Sequence, residues 1–377
     1  MTELHGTCDP KFESVRNALA TNFSDHKDVG ACVAVSIEGE MVVDLWGGHR
    51  DAAKTQAWEE DTIVNVYSTT KTMAALCALV LADRGQLDFN AKVASYWPEF
   101  AQNGKDQIEV RHFMSHSAGL SGLDEPLNPP EFYDWDKVVT ALAEQAPWWE
   151  PGTASGYHAI TQGHLIGEVV RRITGQTIGQ FFANEIAGPL GADFHIGTDE
   201  AHFDRIGELI PPKTAPAAAA IGDSIAARSF RSPAIDATDS RTAQWRKAEI
   251  PAANGHGNAR SVVRVQTAVA NLGSAWGVDL MSEASTRQVF EEQTNGTDLV
   301  LNVPLVFGLG YGLSNPKMPM GPNKNTAYWG GWGGSTVVVD QDARMCVSYV
   351  MNRMEADLLG DMRGFGILQA AYASIAS

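Results

Sequence analysis

The sequence predicts an α/β chain of the α+β kind, built as an antiparallel sheet flanked by terminal helices with a helical lobe inserted in it. Three observations carry this. A helical pattern followed by β-branched strands stands near the N-terminus. β-Character returns near the C-terminus and again has a helical pattern beside it. Between them run apolar helical stretches broken by Pro- and Gly-rich loops, with no internal repeat and no low-complexity tract. The simplest arrangement joins the two like ends in one sheet and leaves the middle as a lobe of its own. The expected division is residues 1–67 with 251–377 as the sheet domain, and 68–250 as a mainly helical domain. A cleft between two such lobes is a favoured place for an active site.

Each element follows from local pattern. Asp9 or Pro10 can open a helix running to about Phe23, with Phe12, Val15, Leu19 and Phe23 along one side. Ala31–Ile37 and Met41–Trp46 are apolar and rich in β-branched residues, and Glu38-Gly39-Glu40 suits a tight hairpin between them. From Thr70 to Arg84 an apolar helical pattern runs without Gly or Pro and stops at Gly85. Lys213 to Ile235 is rich in Ala, Pro and Ser with weak periodicity, and reads as a surface loop or flap. Gly334-Ser335 leads into a strand at Thr336–Asp340, a second strand follows at Met345–Met351, and a last helix is expected over about Leu358–Ile375.

Composition narrows the function classes. The 377 residues are 44% hydrophobic and 19% charged, which fits a globular chain with a sizeable core. A chain of this length suits roughly two or three domains. The net charge of −17 repels phosphate backbones and anionic lipid, so neither nucleic acid nor a membrane surface is an expected partner. No apolar run approaches the roughly 18 residues of a membrane span. Met1–Pro10 lacks the basic-then-apolar order of a secretory signal. Cys8, Cys32, Cys77 and Cys346 are scattered, which suits reduced thiols in a cytoplasmic protein and offers no zinc pair. Neither a metal nor a cofactor is expected.

The chemistry concentrates at Ser68-Thr69-Thr70-Lys71. A serine hydroxyl is a weak nucleophile until a base takes its proton. Positions i and i+3 of a helix share a face, so Lys71 can reach Ser68. The free N–H groups of a helix N-terminus favour developing negative charge. Lys71 would lie under Met73, Ala74 and Ala75, where loss of hydration lowers its pKa toward that of a working base. The S-x-x-K pattern occurs three times, at Ser24–Lys27, Ser68–Lys71 and Ser314–Lys317. Only Ser68 opens a long apolar helix; Ser24 lies in a charged turn, and Pro316 breaks any helix after Ser314. On this pattern alone Ser68 reads equally well as an ordinary N-cap.

Further segments stand in order along the chain: Asp83-Arg84-Gly85-Gln86-Leu87-Asp88, Arg111 to Leu120, Glu150-Pro151-Gly152-Thr153, Ala253 to Gly257, and Trp329-Gly330-Gly331-Trp332-Gly333-Gly334-Ser335. With Val66 to Lys71, their order and separation resemble the serine β-lactamase and penicillin-binding-protein superfamily, and within it the family VIII carboxylesterases. The resemblance runs from about Gly30 to the C-terminus and implies a β-lactamase-like fold. It also implies that Tyr157, in Gly156-Tyr157-His158-Ala159, joins Lys71 as a coupled base and returns a proton to the leaving alcohol. A phenol beside a lysine ammonium is expected to have a lowered pKa. By the same resemblance Trp329, Gly330, Gly331 and Trp332 line the substrate, and the backbone N–H groups of Ser68 and Trp332 form an oxyanion hole.

Two departures bear on substrate. The asparagine that β-lactamases place two residues after the tyrosine is Ala159 here, and the lysine of their third motif is Trp329. Losing an amide and a cation favours a neutral, apolar ester. Phe132, Tyr133, Trp135, Trp148 and Trp149 are candidates for pocket lining or for lobe core. His112 and His116 stand four apart without a following Glu and read as structural. Gly308–Gly312 lacks dinucleotide-loop spacing, and no G-x-S-x-G elbow occurs. The expected activity is hydrolysis of a small-molecule carboxylic ester through a Ser68 acyl-enzyme. The alternatives are an acyltransferase, a β-lactamase or D-amino-acid peptidase, and a non-catalytic binding scaffold.

Overall fold

The computed structural model describes residues 2–125, 127–214 and 222–376. Strands from both ends of the chain share one nine-stranded sheet. In chain order they are β1 (Leu4–Cys8), β2 (Gly30–Ile37), β3 (Glu40–Gly48), β4 (Thr294–Thr297), β5 (Pro304–Phe307), β6 (Gly312–Leu313), β7 (Thr326–Gly330), β8 (Thr336–Asp340) and β9 (Met345–Met351). Across the sheet the order is β1-β3-β2-β9-β8-β7-β6-β5-β4, with every neighbouring pair antiparallel. The two ends meet at β2 and β9, where Ala31 pairs with Met351 and Ile37 with Met345. Both strands are buried along nearly their whole length. That is why they read as unbroken apolar runs: both faces are covered.

The helices that frame the sheet and the site include α1 (Glu13–Ser24), α2 (Thr70–Asp83), α3 (Thr161–Thr174), α4 (Ile225–Arg231), α5 (Ala259–Ala270) and α6 (Met362–Ala376). Side chains alternate across β2 and sort these helices onto its two faces. Cys32 and Ser36 face α5: the Ala259 N–H donates to Cys32 Sγ at 3.3 Å, and Ser36 and Thr267 share a 2.7 Å hydroxyl bond. Val33 lies beside Tyr349 of β9, whose ring sits 5.9 Å from the Arg363 guanidinium of α6. Thus α6, packed on α1, covers one face and α5 the other. Both terminal helices share that one face. α2 is buried from Thr70 to Leu81 because α3, α5 and the short helices Ile178–Phe182 and Glu283–Gln288 surround it. A helix apolar all round belongs in such a place.

Several expectations change at their edges. The first helix opens as a 3₁₀ turn at Pro10–Phe12 capped by Asp9, then buries Val15, Leu19 and Phe23 as predicted. The last helix starts at Met362, later than expected, because Gly360 takes a φ of +93° and the Asp361 carboxylate accepts the Arg363 N–H at 2.9 Å. The expected flap over Lys213–Ile235 is partly wrong. Ser224 caps α4 within it, and Ala226, Ala227 and Ser229 are buried. Residues 215–221 of that segment lie outside the described residues. β1 escapes sequence reading because it is a largely exposed edge strand with no apolar alternation. Among the described residues no helix is long and apolar enough to cross a membrane.

Arg363 ties the ends together. Buried itself, it donates to Asp28 Oδ1 at 2.7 Å, to the Arg353 carbonyl at 2.7 Å, to the Gly333 carbonyl at 2.6 Å and to Asp361. The hydroxyl of Tyr349 also donates to Asp28. Removing the cation strands two buried carboxylates. Arg363→Met should therefore lose about 3–5 kcal/mol of stability. Urea unfolding measures it, and a loss under about 1 kcal/mol would show that the cluster matters little.

Candidate active site

Tertiary contacts hold the segment before α2 in an unusual shape. Val64 and Asn65 pair with Gly257 and His256, and the Val66 N–H donates to the Gly255 carbonyl at 2.9 Å. Tyr67 then takes a φ of +44°. A bulky residue in the left-handed region is a strained outlier and needs support. Its ring lies 5.1 Å from that of Trp332, and its hydroxyl donates to the Ala237 carbonyl at 3.3 Å. A 3₁₀ turn over Tyr67–Thr69 carries Ser68 and runs straight into α2. Thr69 shares a 2.9 Å hydroxyl bond with Ser335, and Thr70 Oγ1 accepts the Gly255 N–H at 2.9 Å. Ser68 is thus pinned from two sides.

Lys71 is fully buried, and its Nζ has three oxygen neighbours: Ser68 Oγ at 3.1 Å, the Ala159 carbonyl at 2.6 Å and the Ala252 carbonyl at 2.9 Å. Loss of hydration holds its pKa well below the ordinary lysine value. A neutral amine suits this cage. An amine without its third proton would give two N–H bonds to the carbonyls and turn its lone pair to the Ser68 hydroxyl. The two carbonyls had no side-chain signal in the sequence.

Tyr157 is brought to the same atom. Its hydroxyl donates to Ser68 Oγ at 2.6 Å, and Lys71 Nζ lies 4.7 Å from the ring centroid. The expected lowering of its pKa is not found. Burial pushes the phenol up, and the Asp298 charge adds to this. The burial that surrounds Tyr157 also disfavours the Lys71 ammonium that was to lower it. The neighbouring imidazoles supply no charge either. Burial holds His116 well below its usual value and pushes His158 down to about 3. The two shifts run in opposite directions, the phenol toward keeping its proton and the amine toward losing one.

The third segment closes the group. Trp329 and Gly330 end β7, and Gly331 passes close under the nucleophile turn. A Cβ there would lie 2.1 Å from the Val66 carbonyl oxygen and 3.2 Å from the Ser68 nitrogen. Ser335 locks the approach by donating to the Val66 carbonyl at 2.8 Å, and the Gly331 N–H donates to the Ser335 carbonyl at 2.8 Å. The backbone N–H groups of Ser68 and Trp332 donate to no described residue, which leaves both for a ligand oxygen. The two tryptophans part company: Trp329 lies 5.3 Å from the Tyr157 ring, while Trp332 packs on Tyr67.

Other candidates resolve differently. Lys27 donates to the Ser24 carbonyl, and the Ser314 hydroxyl accepts the Met320 N–H, so neither repeats the Ser68 arrangement. Phe132 and Trp135 pack against His164 of α3, and Trp148 lies under Arg228 of α4. Trp149 packs on His158, next to Tyr157 in the chain. His112 Nδ1 accepts the Glu109 N–H and caps a short helix, while His116 Nδ1 accepts the His158 N–H. No group of three or more His, Cys, Asp or Glu among the described residues is arranged to hold a metal ion.

Comparison with known proteins points the same way. The Beta-lactamase family model matches residues 16–371. The chain is 35% identical over 373 residues to the esterase/beta-lactamase LipL of Mycobacterium tuberculosis, covering 96% of this chain and 86% of that one. A family VIII carboxylesterase of known structure superposes with a TM-score of 0.93 at 41% identity, covering 99% of this chain and 100% of that one. A penicillin-binding protein homolog from Caulobacter crescentus gives 0.91 at 38% identity, again over 99% and 100%.

The close approach at Gly331 yields a direct test. Gly331→Ala should push the strand end off the Ser68 turn and cut activity about a hundredfold or more, as loss of an oxyanion donor does. Steady-state rates on a fold-checked variant measure this. Unchanged kcat/KM would show that the strand end is not part of the site.

Proposed function

The chain belongs to the beta-lactamase family, and on that premise we propose that it is a carboxylesterase for small, mostly apolar esters. The single observation behind this is that Lys71 Nζ and the Tyr157 hydroxyl both bond the one oxygen Ser68 Oγ. Ser68 Oγ attacks the ester carbonyl as its proton passes to Lys71. The carbonyl oxygen, now negative, is held by the Ser68 and Trp332 N–H groups. The C–O bond to the alcohol breaks, and the leaving oxygen takes the Tyr157 proton. The proton on Lys71 then restores the phenol. Water enters, gives a proton to the same pair and attacks the acyl-enzyme, releasing the acid and Ser68. No metal or cofactor takes part in this scheme.

The substrate class follows from what surrounds the group. Val300, Leu305 and Phe307 pack with Tyr157 and Trp329, and half-buried Leu301, Phe230 and Leu359 adjoin them. Trp329 stands where β-lactamases carry a lysine, so a carboxylate on the substrate would find no cation from that position. We place the site in the cleft between a sheet domain of residues 1–67 with 251–377 and a helical domain of 68–250. The unpaired, buried thiols of Cys32, Cys77 and Cys346 suit a reducing compartment, and the cytoplasm is proposed as the location. Neither nucleic acid nor a membrane is a proposed partner.

A second reading, turnover of β-lactams, is favoured by the double name of the esterase/beta-lactamase LipL. A short-chain p-nitrophenyl ester and a chromogenic cephalosporin separate the two. The ester should give the higher kcat/KM by at least about tenfold, and the reverse order would favour the lactam. Ser68→Ala should lower ester turnover by roughly three orders of magnitude or more. Full activity in that variant would remove Ser68 from the mechanism.

Acylation should also depend on pH in a definite sense. Below its pKa Lys71 is an ammonium and has no lone pair to take the proton. The rate of Ser68 labelling by a fluorophosphonate should rise with pH as Lys71 loses its charge. Because burial lowers that pKa, the plateau should be reached well below the ordinary lysine value. A rate still climbing near that value would place an ordinary, hydrated lysine at the site.

A further inference from the structure

Tyr157 belongs to no helix or strand, so its place on Ser68 is not set by element geometry as that of Lys71 is. Its backbone is held by two posts. One is His116, whose carbonyl accepts the Gly156 N–H at 2.9 Å and whose Nδ1 accepts the His158 N–H at 3.0 Å. The other is Asp298, whose Oδ1 accepts the N–H of Tyr157 itself at 3.0 Å. The same oxygen accepts the N–H groups of Val300 and Leu301, each at 2.9 Å. One atom thus joins the Tyr157 segment to the loop between β4 and β5. The Leu299 N–H adds a 2.9 Å bond to the Ser155 carbonyl.

This carboxylate differs from the other buried ones in leaving an oxygen unbonded. Asp28, Glu168 and Asp361 are paired with arginines, and Asp340, though it too forms no ion pair with a described residue, has both oxygens hydrogen-bonded. Asp298 is fully buried, forms no ion pair with a described residue, and leaves Oδ2 without a hydrogen-bond partner. A buried carboxyl group with one oxygen left unbonded is expensive to keep for packing alone. We propose that Asp298 is a positioning residue for the reaction: it fixes the Tyr157 backbone so that the phenol meets Ser68 Oγ and protonates the leaving alcohol. This rests on the proton-donor role given to Tyr157 above. The clamp also sets Val300 and Leu301 beside the phenol, so one residue places both the acid and part of the apolar wall.

The test compares two esters of one acid. An alkyl ester expels an alkoxide that needs a proton, whereas a p-nitrophenyl ester expels a phenolate that leaves without one. Active sites are counted by fluorophosphonate titration, so loss of folded protein cancels. Tyr157→Phe calibrates the readout, with kcat/KM falling about a hundredfold for the alkyl ester and less than about tenfold for the aryl ester. Asp298→Ala should show the same selectivity, the alkyl ester losing at least about tenfold more than the aryl ester. Asp298→Asn keeps an oxygen for the same three N–H groups and should recover most of the loss. If Asp298→Ala does not fold, Asp298→Ser is read in the same way. An equal loss on both esters, with Tyr157→Phe still selective, would overturn the positioning role. An unselective Tyr157→Phe would overturn the proton-donor reading and this inference with it.

Discussion

Everything at this site depends on keeping a lysine dry. An amine surrounded by water is protonated at neutral pH and has no lone pair to offer. Lys71 is fully buried and meets the Ala159 and Ala252 carbonyls and the Ser68 hydroxyl. Desolvation disfavours the charged form, and two carbonyls leave a neutral amine with one free direction, toward Ser68. The surrounding helices are what exclude water. α2 is apolar on every side because α3 and α5 enclose it, and Lys71 is the one cationic side chain in its buried stretch from Thr70 to Leu81.

The same dryness reshapes Tyr157. A hydrated ammonium nearby would have drawn the phenol toward its anion. Burial lowers the amine pKa and raises that of the phenol, so two groups that pattern reading treated as a shared base are pushed apart, toward an acceptor and a donor on one oxygen. In the proposed reaction this division is useful, since attack needs a base and departure needs an acid. Such pairs, pushed apart by environment, are how one site performs both steps near neutral pH.

Precision comes from the sheet. β7 delivers Gly331 against the Ser68 turn, and Ser335 ties the two together through the Val66 carbonyl. Arg363, from the last helix, holds the Gly333 carbonyl while bound to Asp28 ahead of β2. Both chain ends therefore bear on the loop that carries the Trp332 N–H. Strain at Tyr67 is tolerated because Trp332 and the Ala237 carbonyl oppose its relaxation.

Local pattern determined a good deal about this protein. The N-terminal hairpin, α2 and the strands β8 and β9 were legible because each buries a regular apolar pattern. Helix spacing made Ser68 and Lys71 candidates but left Ser68 equally an N-cap, and a family's motifs singled them out together with Tyr157 and the Trp329 segment. What stayed hidden shares one cause. The edge strand β1, the helix α4, the carbonyls of Ala159 and Ala252 and the clamp at Asp298 depend on residues far apart in the chain. Backbone oxygens leave no trace in residue identity, and an aspartate bonded to N–H groups looks like any other aspartate. Charge state was hidden for the same reason. Whether Lys71 and Tyr157 hold their protons is set by how much water reaches them, and only the packed structure decides that.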